Sequence, residues 1–402
     1  MKQVADITSE VRRLDPVLPV WLGVGAAAAA VGIGGAVALA AAQDHGWERL
    51  LETYLVSFSL LLALTLGALF FVMLQHITRA GWSVVVRRIA EALACNVWLM
   101  AFLAIPVVLG MGHLYHWSHL EAAAGDPILA PKSGFLNPTF FVIRLLVYFA
   151  IWGGLAWFFH RTSTRQDSSF DPRLTMRMER AAGPGLVLYA LSTNFAAFDL
   201  LMSLDPHWFS TIYGVYFFAV SVVCFFAVMP KILVGLQRKG VLSRSVTVEH
   251  FHDLGKLLFA FVVFWAYIAF SQYMLIWYGN IPEETQWYLK RQIGDWAWVS
   301  LALLVGHFVI PFLVLISRAV KRRPRLLAAT GIYMVVMTWL DLYWLVVPEF
   351  SPGVARFGLI DVLCFLGVAG LYTLALALRL KRHSLIAEGD PRLQESLAFH
   401  TA

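Results

Sequence analysis

The chain has 402 residues, of which 59% are hydrophobic and only 14% are charged. Soluble domains carry roughly 25% charged residues, so this composition excludes a water-soluble globule of this size. No nucleic-acid-binding motif accompanies the formal net charge of +6, which we assign to membrane topology.

Apolar segments alternate with charged or Pro/Gly-rich breaks along the whole chain. Each apolar segment has about 20 residues, the length of helix that crosses a hydrocarbon core of about 30 Å. The pattern predicts an all-α, polytopic membrane protein, with residues 1–402 forming a single integral membrane domain of about ten transmembrane helices. The predicted spans are Val17–Ala42, Leu51–Leu74, Ile89–Gly110, Pro138–Phe159, Gly185–Leu204, Ile212–Val234, Leu254–Trp277, Trp296–Ile316, Leu326–Val347 and Phe357–Leu378.

The first predicted span has some features of a cleaved signal peptide. It follows Arg12 and Arg13 and ends in an Ala-x-Ala-like run. Its apolar run is longer than the roughly 7–15 residues of a signal-peptide core. We therefore expect it to be retained as a span.

Lysine and arginine residues cluster in alternate connections. Of the 31 in the chain, 24 fall in the two terminal segments and in every second connection, and only four in the intervening connections. Because positive charge is enriched on the cytoplasmic side of membrane proteins, we expect both termini to be cytoplasmic. A wrong number of spans would disturb this alternation of charge, so the observed alternation also favours ten spans.

The fifth and ninth predicted spans end alike. Asp199-Leu200 and Asp341-Leu342 each stand seven residues before a proline, and Phe-Ser follows shortly afterwards. A weaker similarity pairs Glu91 in the third span with Asp253 in the seventh. We interpret these features as a duplicated four-helix unit, residues 51–204 and 212–347, with the first and tenth spans peripheral. Chance similarity between leucine-rich helices is the alternative.

Two carboxylates, Asp199 and Asp341, are predicted to lie inside the membrane. Each is about 10 Å below the outer end of its span at helical rise. An ionised side chain at mid-membrane costs roughly 2.5–3.5 kcal/mol, so each needs a partner, water or a function. We interpret both as candidates for a proton path, and a structural hydrogen bond or salt bridge is the alternative for each.

A second ionisable cluster, His252, Asp253 and Lys256, begins the seventh span. Residues three or four apart lie on one face of a helix, so Asp253 can pair with Lys256. The cluster is either the cytoplasmic mouth of a proton path or a solvated helix start. Glu91 is its weaker counterpart.

His307 is the only histidine deep inside a predicted span. A bis-histidine haem b needs two on facing helices, so His307 is either a relay member or a packed core histidine. Tyr267 in the seventh span could line a polar path. The three cysteines form no C-x-x-C motif, and we expect no metal site, catalytic residue or cofactor in this chain.

Three segments of the chain resemble one known family. They are Ser203–Tyr216 (SLDPHWFSTIYGVY), Phe251–Lys256 (FHDLGK) and Tyr278–Thr285 (YGNIPEET). These strings are similar to the F subunit of alternative complex III, a bacterial quinol:electron-acceptor oxidoreductase, and the resemblance covers most of the chain. The two four-helix bundles also resemble the NrfD-like membrane subunits.

The resemblance implies a respiratory subunit of a bacterial inner membrane. Its partners would be the lipid bilayer, an NrfD-like sister subunit, and subunits that carry Fe–S clusters and c-type haems, with quinol as a possible ligand. In such complexes quinol oxidation is usually placed in the sister subunit, and proton translocation has been proposed for the F subunit. The resemblance implies no nucleic-acid partner.

Three functions stay open from the sequence. The first is a non-redox subunit that supports assembly and conducts protons through the in-span carboxylates. The second is a quinol-oxidising subunit, with Asp205 and His207 as an acid/histidine pair and Arg144 at a similar depth. The third is a free-standing secondary transporter, which fits the repeat but lacks matched Gly/Pro breaks in the spans.

Overall fold

The computed structural model describes residues 7–119, 121 and 125–400. Within these residues ten helices are long and apolar enough to cross a membrane, and none of the elements is a strand. The chain is therefore an all-α, polytopic membrane protein, as predicted. We number the ten helices α1 to α10: Leu18–Ala41, Gly46–Ile77, Val84–Leu109, Pro138–Ser169, Pro172–Leu204, Tyr213–Gln237, Val248–Gly279, Asp295–Ile316, Pro324–Glu349 and Leu359–Leu380.

Several helices are longer than the spans predicted for them. Helix α4 continues to Ser169 and α5 begins at Pro172, so the predicted limits at Phe159 and Gly185 are wrong as helix ends. Hydropathy marks only the apolar part of a helix, whereas a charged continuation keeps the same backbone hydrogen bonds. The side chain of Asp171 caps the start of α5 by accepting the N–H of Arg173 at 2.9 Å.

Two of the ten helices are irregular, and shorter helices lie between the spans. Helix α3 consists of Val84–Ala94, Val97–Leu103 and Ile105–Leu109, and α8 contains the π-helical segment Leu303–Val309. Helices α5 and α9 end in the 3-10 turns Met202–Leu204 and Val347–Glu349. Within the described residues, the short helices outside the spans are Met111–Leu114, His116–Ser118, Ala130–Lys132, Pro282–Lys290, Arg318–Lys321 and Leu393–Leu397.

The helices pack in two groups of four. In the first group α2 contacts α3, α3 contacts α4, α4 contacts α5, and α5 returns to α2. In the second group α6, α7, α8 and α9 make the same closed series of contacts. The groups meet through α2 and α6, while α1 and α10 pair on the outside of the first group. The duplication of residues 51–204 and 212–347 stays a prediction, because packing does not reveal common origin.

Glycines allow the closest approaches between helices. A Cβ at Gly67 of α2 would lie 2.1 Å from the carbonyl oxygen of Ser221 on α6, and one at Gly331 of α9 would lie 2.1 Å from that of Ala227. Small residues at such crossings are typical of helices that pack in a membrane. Helix α6 is therefore held tightly against both α2 and α9.

The two described ends of the chain lie at the same end of the bundle. Leu385 donates its N–H to the carbonyl oxygen of Arg12 at 2.8 Å, and Leu242, between α6 and α7, donates to that of Val11 at 3.1 Å. We call this end of the bundle the terminal end, and the opposite end the far end.

Large apolar side chains remain exposed around the bundle. Examples on six different helices are Leu109, Leu146, Phe270, Leu313, Val336 and Val362. In water this surface would be unfavourable, whereas in lipid it needs no protein partner. The exposed apolar surface therefore agrees with an integral membrane protein.

Candidate functional site

A fully buried carboxylate, Asp341 on α9, lies inside the second group of helices. Tyr216 of α6 donates its hydroxyl hydrogen to Oδ1 at 2.5 Å, and Trp265 of α7 donates Nε1–H to Oδ2 at 2.9 Å. Nδ1 of His307 on α8 lies 3.8 Å from the same Oδ2. Each helix of the second group thus contributes one side chain to this site.

His307 is positioned by the π-helical segment of α8. Pro311, four residues later, has no N–H to donate to the carbonyl of His307, so a regular α-helical turn is interrupted there. Tyr333 of α9 donates its hydroxyl hydrogen to the carbonyl oxygen of Gly306 at 2.8 Å, which satisfies one backbone group of the distorted turn. The His307 ring packs on the Trp265 ring with 4.0 Å between centroids.

Both ring nitrogens of His307 lack a hydrogen-bond partner within the described residues. Unpaired buried polar atoms are uncommon and call for an explanation such as a functional role or a bound water. The distance of 3.8 Å to Asp341 becomes a hydrogen bond after a shift of about 1 Å. His307 is therefore placed to exchange a proton with Asp341.

The surroundings of Asp341 suit a carboxyl group that gains and loses a proton. Among the residues that the structure describes, no lysine or arginine forms an ion pair with it. Its hydrogen-bond donors, Tyr216 and Trp265, are both neutral side chains. A buried carboxyl group without a permanent counter-ion can change protonation without leaving a buried cation unpaired.

A cavity of about 520 Å³ adjoins this site between α7 and α8. Tyr216 and Trp265, which both bind Asp341, form part of its wall. Other residues in the wall include Phe270, Tyr273, Tyr288, Arg291, Ser300, Phe308 and Trp344. Mostly apolar walls with a few polar groups are typical of small-molecule sites.

The other predicted in-span carboxylate, Asp199 on α5, is bound differently. Arg144 of α4 donates from Nε and Nη2 to its two oxygens at 2.8 Å each, and Tyr148 donates its hydroxyl hydrogen at 2.7 Å. The Arg144 guanidinium also lies over the rings of Phe135 and Phe140. This is the salt bridge that the sequence left open as the alternative for Asp199. Protonation of Asp199 would leave the buried Arg144 without its ion-pair partner, so Asp199 is less suited than Asp341 to carry a proton.

A chain of ion pairs joins the far ends of α5 and α9. Nζ of Lys290 lies 2.8 Å from carboxylate oxygens of both Asp205 and Glu349, and Arg291 lies 3.0 Å from Glu349. Although burial lowers the pKa of Lys290, the carboxylates of Glu349 and Asp205 raise it more, so it lies above its usual value. Arg291 is fully buried and also donates to the carbonyl oxygen of Trp344 at 3.1 Å.

Asp205 and His207, predicted as a possible quinol site, each have another partner. Nδ1 of His207 lies 3.9 Å from Asp205, whereas its Nε2 lies 2.6 Å from Asp126. The hydrogen bond with His207, followed by that from the Ile128 N–H, holds the pKa of Asp126 below its usual value. Arg144, the third member of that prediction, is bound to Asp199, so within the described residues these three side chains do not form one site.

His252, Asp253 and Lys256 lie together at the terminal end of α7. Nζ of Lys256 is 2.5 Å from Asp253, as their spacing predicts, and its side chain is 45% exposed. His252 is buried, and its Nδ1 has no hydrogen-bond partner in the described part of the chain. The cluster therefore reaches from the surface into the bundle.

Glu91 is buried near the terminal end of α3 between two arginines. Arg87 lies 3.3 Å from one of its oxygens and Arg88 lies 3.1 Å from the other, while His160 is 3.8 Å away. Arg87 also pairs with Asp390 at 2.5 Å. Two permanent cations favour the ionised form of Glu91, so the geometry suits a structural ion cluster.

Tyr267 is 63% exposed on the surface of α7, and the structure does not bring it to the other predicted residues. The buried residues of α7 between Lys256 and Trp265 are Leu258 and Val262, both apolar. This stretch is about 13 Å long at helical rise. An apolar layer therefore separates the cluster at the terminal end from Asp341.

Tyr216 and Trp265 complete the Asp341 site but were not predicted as members of it. Tyr216 is the last residue of the motif SLDPHWFSTIYGVY, so a signal for it was present in the sequence. Trp265 lies in the middle of α7, whereas tryptophan is enriched near membrane surfaces. That unusual depth was the available signal for Trp265.

Neither metal-site geometry nor comparison with known proteins assigns a ligand to the chain. Among the residues that the structure describes, no three His, Cys, Asp or Glu side chains form a group that could hold a metal ion. No family model matches the chain, and no curated protein matches it.

Proposed function

We propose that the chain is a subunit of a respiratory quinol-oxidising complex of the alternative complex III type, and that it conducts protons through α6–α9. The proposal is carried by Asp341, which is buried with Tyr216, Trp265 and His307 and, within the described residues, forms no ion pair with a lysine or arginine. Ionisable residues inside membranes are costly and frequently form proton relays. Asp341 and His307 would be the central pair of such a relay.

The proposed path has two halves separated by an apolar layer. At the terminal end, which the positive-inside rule places in the cytoplasm, Lys256, Asp253 and His252 take up the proton. At the other side of the layer His307 and Asp341 pass it toward the far-end ion pairs. Leu258 and Val262 would prevent proton leakage until the surrounding complex moves the helices.

The remaining subunits of the proposed complex would carry the Fe–S clusters and c-type haems and include an NrfD-like sister subunit. The connection between α7 and α8 is a candidate docking surface because part of it is exposed at the far end. Its helix Pro282–Lys290 has two carboxylates in its first turn, Glu283, which is exposed, and Glu284, which is partly buried. This placement supports a role in assembly. The inner-membrane location, with both termini cytoplasmic, is proposed from the distribution of lysine and arginine along the chain.

The test is an Asp341→Asn variant of the native complex, reconstituted into vesicles. Asparagine has nearly the same shape and can still accept hydrogen bonds, but it cannot carry the proton. We expect fewer protons released per quinol oxidised, with unchanged subunit composition and electron transfer. The matched control is Asp44→Asn, an exposed far-end aspartate outside the site. An unchanged proton stoichiometry in Asp341→Asn would contradict the proposal.

A second function, quinol binding by this chain, is favoured by the cavity of about 520 Å³ beside Asp341. Tyr216 borders both the cavity and the carboxylate, so it could relay a proton from a bound hydroxyl group to Asp341. The same variant separates the two functions. A quinol site predicts that Asp341→Asn slows electron transfer and weakens binding of a quinone analogue, whereas a proton path alone leaves both unchanged. Purification without haem-bearing partners would instead favour a free-standing transporter.

A further inference from the structure

A basic crevice opens between the terminal ends of α6 and α9. It has a volume of about 630 Å³ and is lined by Arg238 of α6 and by Arg323 and Arg325 at the start of α9. Within the described residues these three exposed side chains have no ion-pair partner, whereas the adjacent Arg322 is bound to Glu249 at 2.8 Å. Three unpaired guanidinium groups around one space repel one another, and an anion placed there would remove that repulsion.

The first turn of α9 adds to the positive potential of this crevice. The helix begins at Pro324, and no side chain caps it. The N–H groups of Arg325 and Leu326 therefore have no intrahelical acceptor. The positive end of the helix dipole points toward the same space, which favours an anion.

An apolar groove continues the crevice along the contact between α6 and α9, toward the middle of the bundle. Four of the lining residues along α6 and just after it lie at i, i+4, i+7 and i+11 and share one helix face: Ala227, Lys231, Val234 and Arg238. Val228 and Gln237 line the two spaces beside them. The groove has a volume of about 530 Å³, and its apolar walls include Val228, Ile332, Val336, Trp339, Val362 and Phe365. Ile332 and Val336 are 47% and 57% exposed, so the groove faces the lipid.

We propose that the crevice and the groove together bind one anionic phospholipid of the leaflet at the terminal end. Its phosphate lies among Arg238, Arg323 and Arg325, and an acyl chain lies along Ile332 and Val336. Arginine suits this role because its planar guanidinium can donate to two phosphate oxygens. Basic pockets between transmembrane helices are typical sites for acidic headgroups. A zwitterionic lipid would bring its own cation to the three arginines and bind less tightly.

The site lies at the seam that holds the second group of helices together. Gly331 of α9 packs directly on the backbone of Ala227 of α6, and Ala227 is also part of the groove wall. A bound lipid would fill the outer side of this seam. It would therefore stabilise the contact between α6 and α9.

Native mass spectrometry of the full chain, purified and stripped of lipid, tests the proposal with phosphatidylglycerol and phosphatidylcholine as probes. We expect the wild type to retain phosphatidylglycerol preferentially. The double substitution Arg238→Gln with Arg325→Gln should weaken that retention by about fivefold for each arginine. The matched control is Arg173→Gln with Arg180→Gln, which removes the same charge from exposed positions at the terminal end of α5.

Two further measurements distinguish the outcomes. Filling the groove by Val336→Trp should reduce retention of phosphatidylglycerol, with circular dichroism to confirm that the helices persist. An equal loss of lipid in both arginine pairs would show a general surface-charge effect and overturn the proposal. Displacement of phosphatidylglycerol by millimolar inorganic phosphate would show a free-phosphate site and would also overturn it.

Discussion

Two aspartates with the same local sequence, Asp199 and Asp341, differ in what balances their charge. Arg144 binds both oxygens of Asp199, whereas Asp341 accepts hydrogen bonds from the neutral side chains of Tyr216 and Trp265. The first arrangement depends on charge, because removing the carboxylate leaves a buried guanidinium without its partner. The arrangement at Asp341 depends mainly on the shape of its side chain and on its ability to accept hydrogen bonds.

This difference predicts unequal losses of stability from the same substitution at the two positions. Asp199→Asn should reduce the free energy of unfolding by about 3–5 kcal/mol, because it breaks a buried ion pair. Asp341→Asn should cost much less, since the amide oxygen still accepts a hydrogen bond. Chemical unfolding in detergent measures the free energy of unfolding of both variants. Adding Arg144→Met to Asp199→Asn should restore part of the loss, and equal losses at the two aspartates would refute this account.

At the scale of helices, the Asp341 site lies at the contact between α6 and α9. Asp341 of α9 reaches Tyr216 of α6 at 2.5 Å, and Gly331, nearly three turns earlier on α9, packs on the backbone of α6. The distance between these helices therefore sets the hydrogen bond at the site. Helix α8 brings His307 to the same place through its π-helical segment.

Gly331→Ala should push α6 and α9 apart, because the added Cβ would lie 2.1 Å from the carbonyl oxygen of Ala227. Overpacking of this kind costs about 1–3 kcal/mol. Gly154→Ala in α4 is the matched control, since nothing lies within 4 Å of its added Cβ. Alanine there should be neutral or stabilise the helix by about 0.5–1 kcal/mol. Thermal unfolding gives the midpoint temperature of each variant. Similar midpoints for Gly331→Ala and Gly154→Ala would argue against close packing of α6 on α9.

For the whole molecule, the ten spans could be predicted because bilayer thickness fixes the length of an apolar helix. Asp341 and His307 could be identified one by one as costly residues inside spans. Their meeting could not be predicted, because it depends on how α8 packs on α9 and on the turn that Pro311 distorts. The same limit applies to Asp199, whose sequence pattern matches that of Asp341 while its neighbour Arg144 comes from another helix.

The C-terminal segment, residues 381–400, also joins the two helix groups at the terminal end. Arg87 of α3 pairs with Asp390 at 2.5 Å, and the hydroxyl of Ser396 donates to the carbonyl oxygen of Trp82 at 2.7 Å. Ser396 also lies 3.5 Å from the ring of His250 at the start of α7. Residues 381–400 thus contact both groups of helices, so their docking should contribute to the stability of the whole bundle.

Asp390→Asn tests that contribution, because Asp390 and Arg87 are both buried whereas the nearby pair Glu388–Arg12 is about 30% exposed. We expect a loss of about 3 kcal/mol, the low end for a broken buried pair, since Arg87 keeps Glu91 as a partner. Glu388→Gln is the matched control and should cost at most about 1 kcal/mol, as exposed pairs do. A protease should then cut residues 381–400 faster in Asp390→Asn than in the wild type, and no faster in Glu388→Gln. Equal protection of the segment in both variants would mean that apolar contacts, such as that between Phe399 and Trp82, hold it in place.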